Sequence, residues 1–262
     1  MEMTPFVFRS LQELELGPKW QAVFEERWPH YREWFLHEGE AARPSYVTSV
    51  RMLRAHMPEL LPAFETVVEL AGGGDLAARM LSLYKPPPYL AACSQGAWTR
   101  DGGPMLVRNY DYAPSRMEGV IWSTRMLEHR VIGMSDCLWG LLDGMNDAGL
   151  AVSLTFGGRR VLGDGFGIPI VVRYLLETCG DVAAVRETLA RLPYSLAHNL
   201  HGDRRRRACA HRLPLARPRA DLPGLPRRDQ SPGHRGVAGA GARHQDDRTG
   251  ATHPPVAPRS RH

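Results

Sequence analysis

The chain has 262 residues, 43% hydrophobic and 23% charged, enough for one globular domain with an appendage. Its net charge of +5 is uneven. Residues 201–262 hold 14 Arg and 5 Asp with no Lys or Glu, so the first 200 residues are mildly acidic and carry no general attraction to nucleic acid. Four well-separated cysteines (Cys93, Cys137, Cys179, Cys209) with no C-x-x-C pair argue against a zinc site and a disulfide scaffold. They suit a reducing cytosol. No signal-peptide pattern opens the chain and no apolar run approaches the ~20 residues that span a bilayer, so a soluble, cytoplasmic protein is expected.

Residues 1–84 read as helical. Gly17-Pro18 suits a helix start, after which Trp20, Val23, Phe24, Trp28, Tyr31, Trp34 and Phe35 recur at three- and four-residue steps, a core-packing face. Ser45 is placed to cap a second helix, Pro58 to begin a third, and Asp75 to cap a fourth that ends near Tyr84. Lys85-Pro86-Pro87-Pro88 cannot continue a helix and forms a joint. Residues 89–157 switch to short apolar runs: Tyr89–Ala92, Met105–Val107, Val120–Trp122, Val131–Met134 and Leu150–Phe156. Turn signals such as Asp101-Gly102 and Asn146-Asp147-Ala148-Gly149 separate them, at a spacing that suits antiparallel hairpins. Gly163-x-Gly165-x-Gly167 is not a dinucleotide fingerprint and reads as a flexible connection. Helices over about Ile168–Cys179 and Val182–Leu192 follow, the second capped by Asp181, and then a strand near Tyr194–Leu200.

Residues 201–262 contain no Ile, Phe, Tyr, Trp or Met, so they lack the apolar surface to offset chain entropy and are expected to be disordered. A basic tail is one reading. Excess Arg, Pro, Ala and Gly without Lys or Asn favours another: a GC-rich gene read out of frame from near His201.

The chemistry concentrates around Cys93. A lone cysteine is more often an inert buried hydrophobe, which is the reading for Cys137 and Cys179. Cys93 differs in its company. It follows the proline joint, and a hairpin turning at Asp101-Gly102 returns Arg108 alongside it, with Asp111 at the strand's far end. A guanidinium lowers a thiol's pKa, and Asp111 can orient an amine or balance the arginine. A strand-end salt bridge between Arg108 and Asp111 is the structural alternative. No histidine offers itself as base, since His129, the closest in sequence, sits in a polar turn. That points to a nucleophile whose base is its own α-amino group.

Cys93, Arg108-Asn109-Tyr110-Asp111 and the ribbon from Asp143 to Ser153 resemble the N-terminal-nucleophile hydrolases. The likeness is to the acyl-CoA:6-aminopenicillanate acyltransferase (peptidase C45-like) branch, with choloylglycine hydrolase and acid ceramidase as more distant relatives. It runs from about Pro88 to Asn199. It implies an α+β fold, an incomplete αββα sandwich, with a helical N-terminal segment 1–88, a core 89–200 and the tail 201–262. It also implies a cysteine-nucleophile hydrolase or acyltransferase acting on linear non-peptide amide bonds through an acyl-cysteine. Cys93 would then be the nucleophile, Arg108 its partner and Asp111 the orienter of the freed amine. Thr155 and Asn146 would be substrate or oxyanion positions, though Asn146 also fits a hairpin turn. The implied partner is a small amide or acyl donor, with no metal or redox cofactor, nucleic acid or membrane; oligomeric state has no signature.

Two departures stand out. Ala92, not glycine, precedes Cys93, and residues 201–262 contain no asparagine where the family places an oxyanion asparagine. A catalytically dead truncated relative, or a binding domain with a basic tail, is the rival reading. A cysteine protease of another fold, using His129 or His198 as base, is a third.

Overall fold

The computed structural model describes residues 6–88, 92–100, 103–156, 163–195, 198–204 and 211–214. The chain divides into two units, Met1–Asp221 and Leu222–His262, and every described residue belongs to the first.

A short strand β1 (Arg9–Gln12) precedes four helices: α1 (Pro18–Leu36), α2 (Tyr46–His56), α3 (Leu61–Leu70) and α4 (Asp75–Leu81). α1 starts at the expected proline and buries Trp20, Val23, Phe24, Tyr31 and Phe35, the face its periodicity indicated. Ser45 caps α2, its hydroxyl accepting from the Thr48 N–H at 3.3 Å. Pro58 opens a single 3-10 turn before α3. Asp75 is the first residue of α4 rather than its cap, and its carboxylate pairs with Arg79 one turn on, at 3.2 Å. The segment is pinned to the rest of the molecule by its polar tips. Trp20 Nε1 donates to the Leu138 carbonyl at 3.1 Å, Trp139 Nε1 to that of Leu81 at 2.8 Å, and the Tyr174 hydroxyl to Glu59 at 2.8 Å.

Next come β2 (Ala92–Arg100), β3 (Gly103–Asp111), β4 (Val120–Thr124), β5 (Val131–Asp136), β6 (Gly140–Asn146) and β7 (Leu150–Phe156). α5 (Ile168–Thr178), α6 (Val182–Arg191), β8 (His198–Arg204) and β9 (His211–Pro214) complete the described chain. Asp181 caps α6 as expected, accepting from the Ala184 N–H at 3.0 Å. One sheet has seven strands in the order β1-β4-β5-β6-β7-β8-β9, antiparallel apart from β1 beside β4; β2 and β3 form a separate two-stranded antiparallel ribbon. The fold is a mixed α+β sandwich.

Strand alternation sorts the two faces of the large sheet. Asn146 reaches the Leu176 carbonyl of α5, and a Cβ on Gly144 would meet Leu176, so these β6 positions face the helix. Asp143, at odd spacing from both, faces the ribbon and meets Arg108. Ser153 pairs with Asp143 and so shares its face, with Thr155 two residues on. α5 is anchored by a fully buried ion pair, Arg173–Glu177 at 3.0 Å, whose carboxylate also accepts the Met126 and Leu127 N–H groups. Those extra donors satisfy the charge away from water.

Three features depart from the sequence reading. The helical segment contributes β1 to the main sheet, so its first strand does not stand apart from the core. The sheet also continues past residue 200 through β8 and β9, beyond the expected break near His201. The glycine loop is clamped rather than flexible: Lys85 N–H donates to the Gly165 carbonyl and Gly167 N–H to that of Leu83. A Cβ on Gly165 would lie 2.4 Å from Tyr194 N, so glycine is there for close approach. The Asp101-Gly102 turn, the start of the Tyr89–Ala92 run, and most of the tail lie outside the described residues.

Candidate active site

β2 and β3 run antiparallel with Ala92 opposite Asp111, Cys93 opposite Tyr110 and Gln95 opposite Arg108. Alternation turns Cys93, Gln95, Arg108 and Tyr110 toward the large sheet. Arg108 is the hub. Its Nη1 lies 3.6 Å from Cys93 Sγ, its Nε donates to Asp143 Oδ2 at 2.6 Å, and its Nη2 contacts Met134 Sδ at 3.4 Å. The guanidinium carbon sits 4.7 Å over the Tyr110 ring.

Asp111 is placed by register beside Ala92, next to the Ala92–Cys93 peptide bond, and its side chain accepts from Asn109 Nδ2 at 2.6 Å. Arg108 forms its ion pair with Asp143, where the structural alternative read from the sequence was a strand-end pair with Asp111. Thr155 is buried and accepts from Gln95 Nε2 at 3.2 Å, which brings it to the ribbon two residues from Cys93. Asn146 is not brought to the site. Its Nδ2 donates to the Leu176 and Cys179 carbonyls at 2.9 and 2.8 Å, and its Oδ1 accepts from Leu150 N–H at 3.0 Å. The expectation of a substrate or oxyanion role there fails because three residues along a strand reverse the face. His129 is also elsewhere, with Nδ1 3.0 Å from Asp147 at the β6–β7 turn. The His198 side chain lies outside the described residues.

The thiol of Cys93 is pushed up from its ordinary pKa. Burial is the main cause and outweighs Arg108 and the Asp111 N–H, both of which favour thiolate. The guanidinium therefore does not by itself bring the thiol below its ordinary pKa. Cys137 and Cys179 are buried, as expected of structural thiols.

A second polar cluster lies behind the ribbon. The Tyr110 hydroxyl donates to Asp136 Oδ2 at 3.0 Å. The Tyr31 hydroxyl lies 2.8 Å from Asp136 Oδ1 and 2.5 Å from Glu118 Oε1. One hydroxyl has one proton to give, so the second carboxyl shares that oxygen by bringing its own. Burial, then the Asp136 charge, raises the Glu118 pKa to about 7.

Asp143, Glu118 and Asp136 escaped the sequence reading. Asp143 was visible only as one residue of a ribbon. Asn199 lies opposite Thr155 in the β7–β8 register, upstream of residues 201–262, which contain no asparagine. Among the described residues no cluster of three or more His, Cys, Asp or Glu side chains could hold a metal ion, and no helix is long and apolar enough to cross a membrane.

Residues 98–216 match the family model described as acyl-coenzyme A:6-aminopenicillanic acid acyl-transferase. Arg108, Asp111, Asp143 and Thr155 fall inside the match, and Cys93 lies five residues before it. No curated protein matches this chain. Among solved structures, penicillin V acylase from Agrobacterium tumefaciens is similar at 14% identity and a TM-score of 0.25, over 45% of this chain and 38% of that one. From residue 98 to residue 216, therefore, under half of its length, the chain is similar to the acyl-coenzyme A:6-aminopenicillanic acid acyl-transferase family.

Proposed function

We propose that Cys93 is the nucleophile of a hydrolase or acyltransferase acting on linear, non-peptide amide bonds of small molecules in the cytoplasm. The observation that carries this is Arg108 Nη1 at 3.6 Å from Cys93 Sγ, with Asp111 in register beside the Ala92–Cys93 bond. Cutting that bond would release an α-amine next to the thiol. The amine takes the thiol proton, the thiolate attacks the amide carbonyl, and Arg108 balances the negative charge near sulfur. The proton passes to the departing amine, leaving an acyl-cysteine. Water or a second amine then attacks the thioester, with the α-amine again as base, and the product is an acid or a new amide.

The raised Cys93 pKa favours a second statement: the uncut chain holds a protonated, dormant thiol. We also hold that the end of the tail is out of frame. Both β9 and the family match extend past His201, so such a break would fall downstream of that residue rather than close to it. Sequencing the DNA beyond that point tests this.

For the chemistry, intact-mass measurement and N-terminal sequencing decide. A frame-corrected protein is expected to split into a piece ending at Ala92 and a larger one beginning at Cys93, to cleave amides, and to lose both properties in Cys93→Ala. The 262-residue chain is expected to stay uncut and inactive. An active enzyme with the Ala92–Cys93 bond intact would overturn the α-amine mechanism.

A further inference from the structure

A cavity of about 520 Å³ lies beyond the open end of the ribbon. That volume suits a small molecule, for which sites span ~300–1,000 Å³. Tyr31 and Trp34 of α1, Pro87 and Pro88 of the joint, and Tyr112 just past β3 form aromatic and prolyl walls. Stacked rings link the cavity wall to the ribbon that carries the thiol. Tyr112 stacks on Tyr110 with centroids 5.2 Å apart, and Tyr110 is the register partner of Cys93 and the platform under Arg108. Tyr112 is two residues beyond Tyr110, so the offset from Cys93 along the ribbon is ~7 Å, within one substrate's length.

The polar lining has a sign. Glu33, Glu38 and Asp136 stand against one guanidinium, Arg116, with His30 and His37 beside them. Glu38 is paired with Arg43, and Arg116 is hydrogen-bonded to the Tyr112 side chain. Behind the wall, Glu118 shares the Tyr31 hydroxyl with Asp136. Ring faces present negative potential, and carboxylates beside them deepen it, which attracts an ammonium and repels an anion.

We propose that this cavity binds a positively charged nitrogen, an alkyl- or aryl-ammonium, carried by the amide substrate away from the scissile bond. The word substrate rests on the amide-cleaving reading; the binding does not. Trp34 and Tyr112 face the cation, Glu33 and Asp136 supply the field, and the linker to the amide passes Tyr112 toward Cys93.

The test is binding to the full-length Cys93→Ala protein, followed by calorimetry near neutral pH with benzylammonium, benzyl alcohol and phenylacetate as probes. Benzylammonium is expected to bind at least ~10-fold more tightly than phenylacetate, with the alcohol between them. Glu33→Gln is expected to weaken benzylammonium several-fold, and Trp34→Leu to remove its binding. Glu33 is exposed, so its variant tests the site even if the tryptophan variant is unstable. Phenylacetate binding as tightly as benzylammonium, or benzylammonium affinity unchanged in Glu33→Gln, would overturn the site. Amide turnover by the cysteine enzyme without preference for cationic substrates would overturn the placing of the cation on the substrate and leave the hydrolase reading. Cation binding by a frame-corrected protein that keeps Cys93 yet cleaves no amide would uphold the site and sink that reading.

Discussion

Arg108 Nη1 approaches the Cys93 sulfur at 3.6 Å while its Nε is held by Asp143 at 2.6 Å, so one guanidinium is shared between a thiol and a carboxylate. The thiol still sits above its ordinary pKa, because burial removes more thiolate solvation than a shared cation restores. Arg108→Ala is therefore expected to raise that pKa further and slow alkylation of Cys93 by iodoacetamide about 10-fold near pH 8. Asp143→Asn is expected to do the reverse, since it releases the full guanidinium charge to the sulfur. Peptide mapping of the labelled protein reads both, and an unchanged rate in Arg108→Ala would remove the arginine from the thiol's environment. Asn146 gives the opposite pattern. Asn146→Ala strands two carbonyls and one N–H in the interior and is expected to lower stability by ~2–4 kcal/mol in urea titration, with Cys93 labelling in the folded state unaltered.

At the scale of elements, β6 is held closely between neighbours. Gly144 lies opposite Gly133, and a Cβ there would stand 2.6 Å from the Ile132 carbonyl and 3.0 Å from Leu176 Cδ1. Gly144→Ala is expected to destabilise by ~1–3 kcal/mol, because backbone on one side and α5 on the other leave no room to relax. Equal urea midpoints for the variant and its parent would contradict that packing. The same strand shows why some elements were legible and others not. Residues 140–146, Gly-Leu-Leu-Asp-Gly-Met-Asn, do not alternate, since Leu141 and Leu142 are both buried, so their pattern names no strand. β1 is four residues long and exists because β4 pairs with it in parallel. The ribbon, by contrast, follows from two runs flanking Asp101-Gly102, with Arg100 opposite Gly103, and α2 and α6 begin at caps visible in the sequence, Ser45 and Asp181.

For the whole molecule, the buried Glu118 carboxyl should couple stability to pH. Its folded pKa of about 7 lies above the ordinary carboxyl value of 4.5, so the native state binds more protons between those values. Stability is then full below about pH 4.5 as far as this group is concerned and falls as pH rises toward about 7, by the order of 3 kcal/mol. Urea titrations across that window check this, and Glu118→Gln is expected to flatten the slope. A slope that persists in the glutamine variant would assign it to other groups.

Nearest-neighbour chemistry is legible along the chain: a cysteine after a proline joint, an arginine and an aspartate one hairpin later, and the helix face of Trp20 to Phe35. These contacts span few residues, so local turn and periodicity rules suffice. Tertiary structure decided the rest. A strand's alternation says that Asp143 and Asn146 point oppositely, but not which of them meets the ribbon and which meets α5. Tyr31, Glu118 and Asp136 converge from helix, loop and strand, and Glu118 is raised by a burial that no local pattern encodes. Solvation and charge act through space rather than along the chain. The protonation of Cys93 and Glu118 therefore depends on which distant segments cover them.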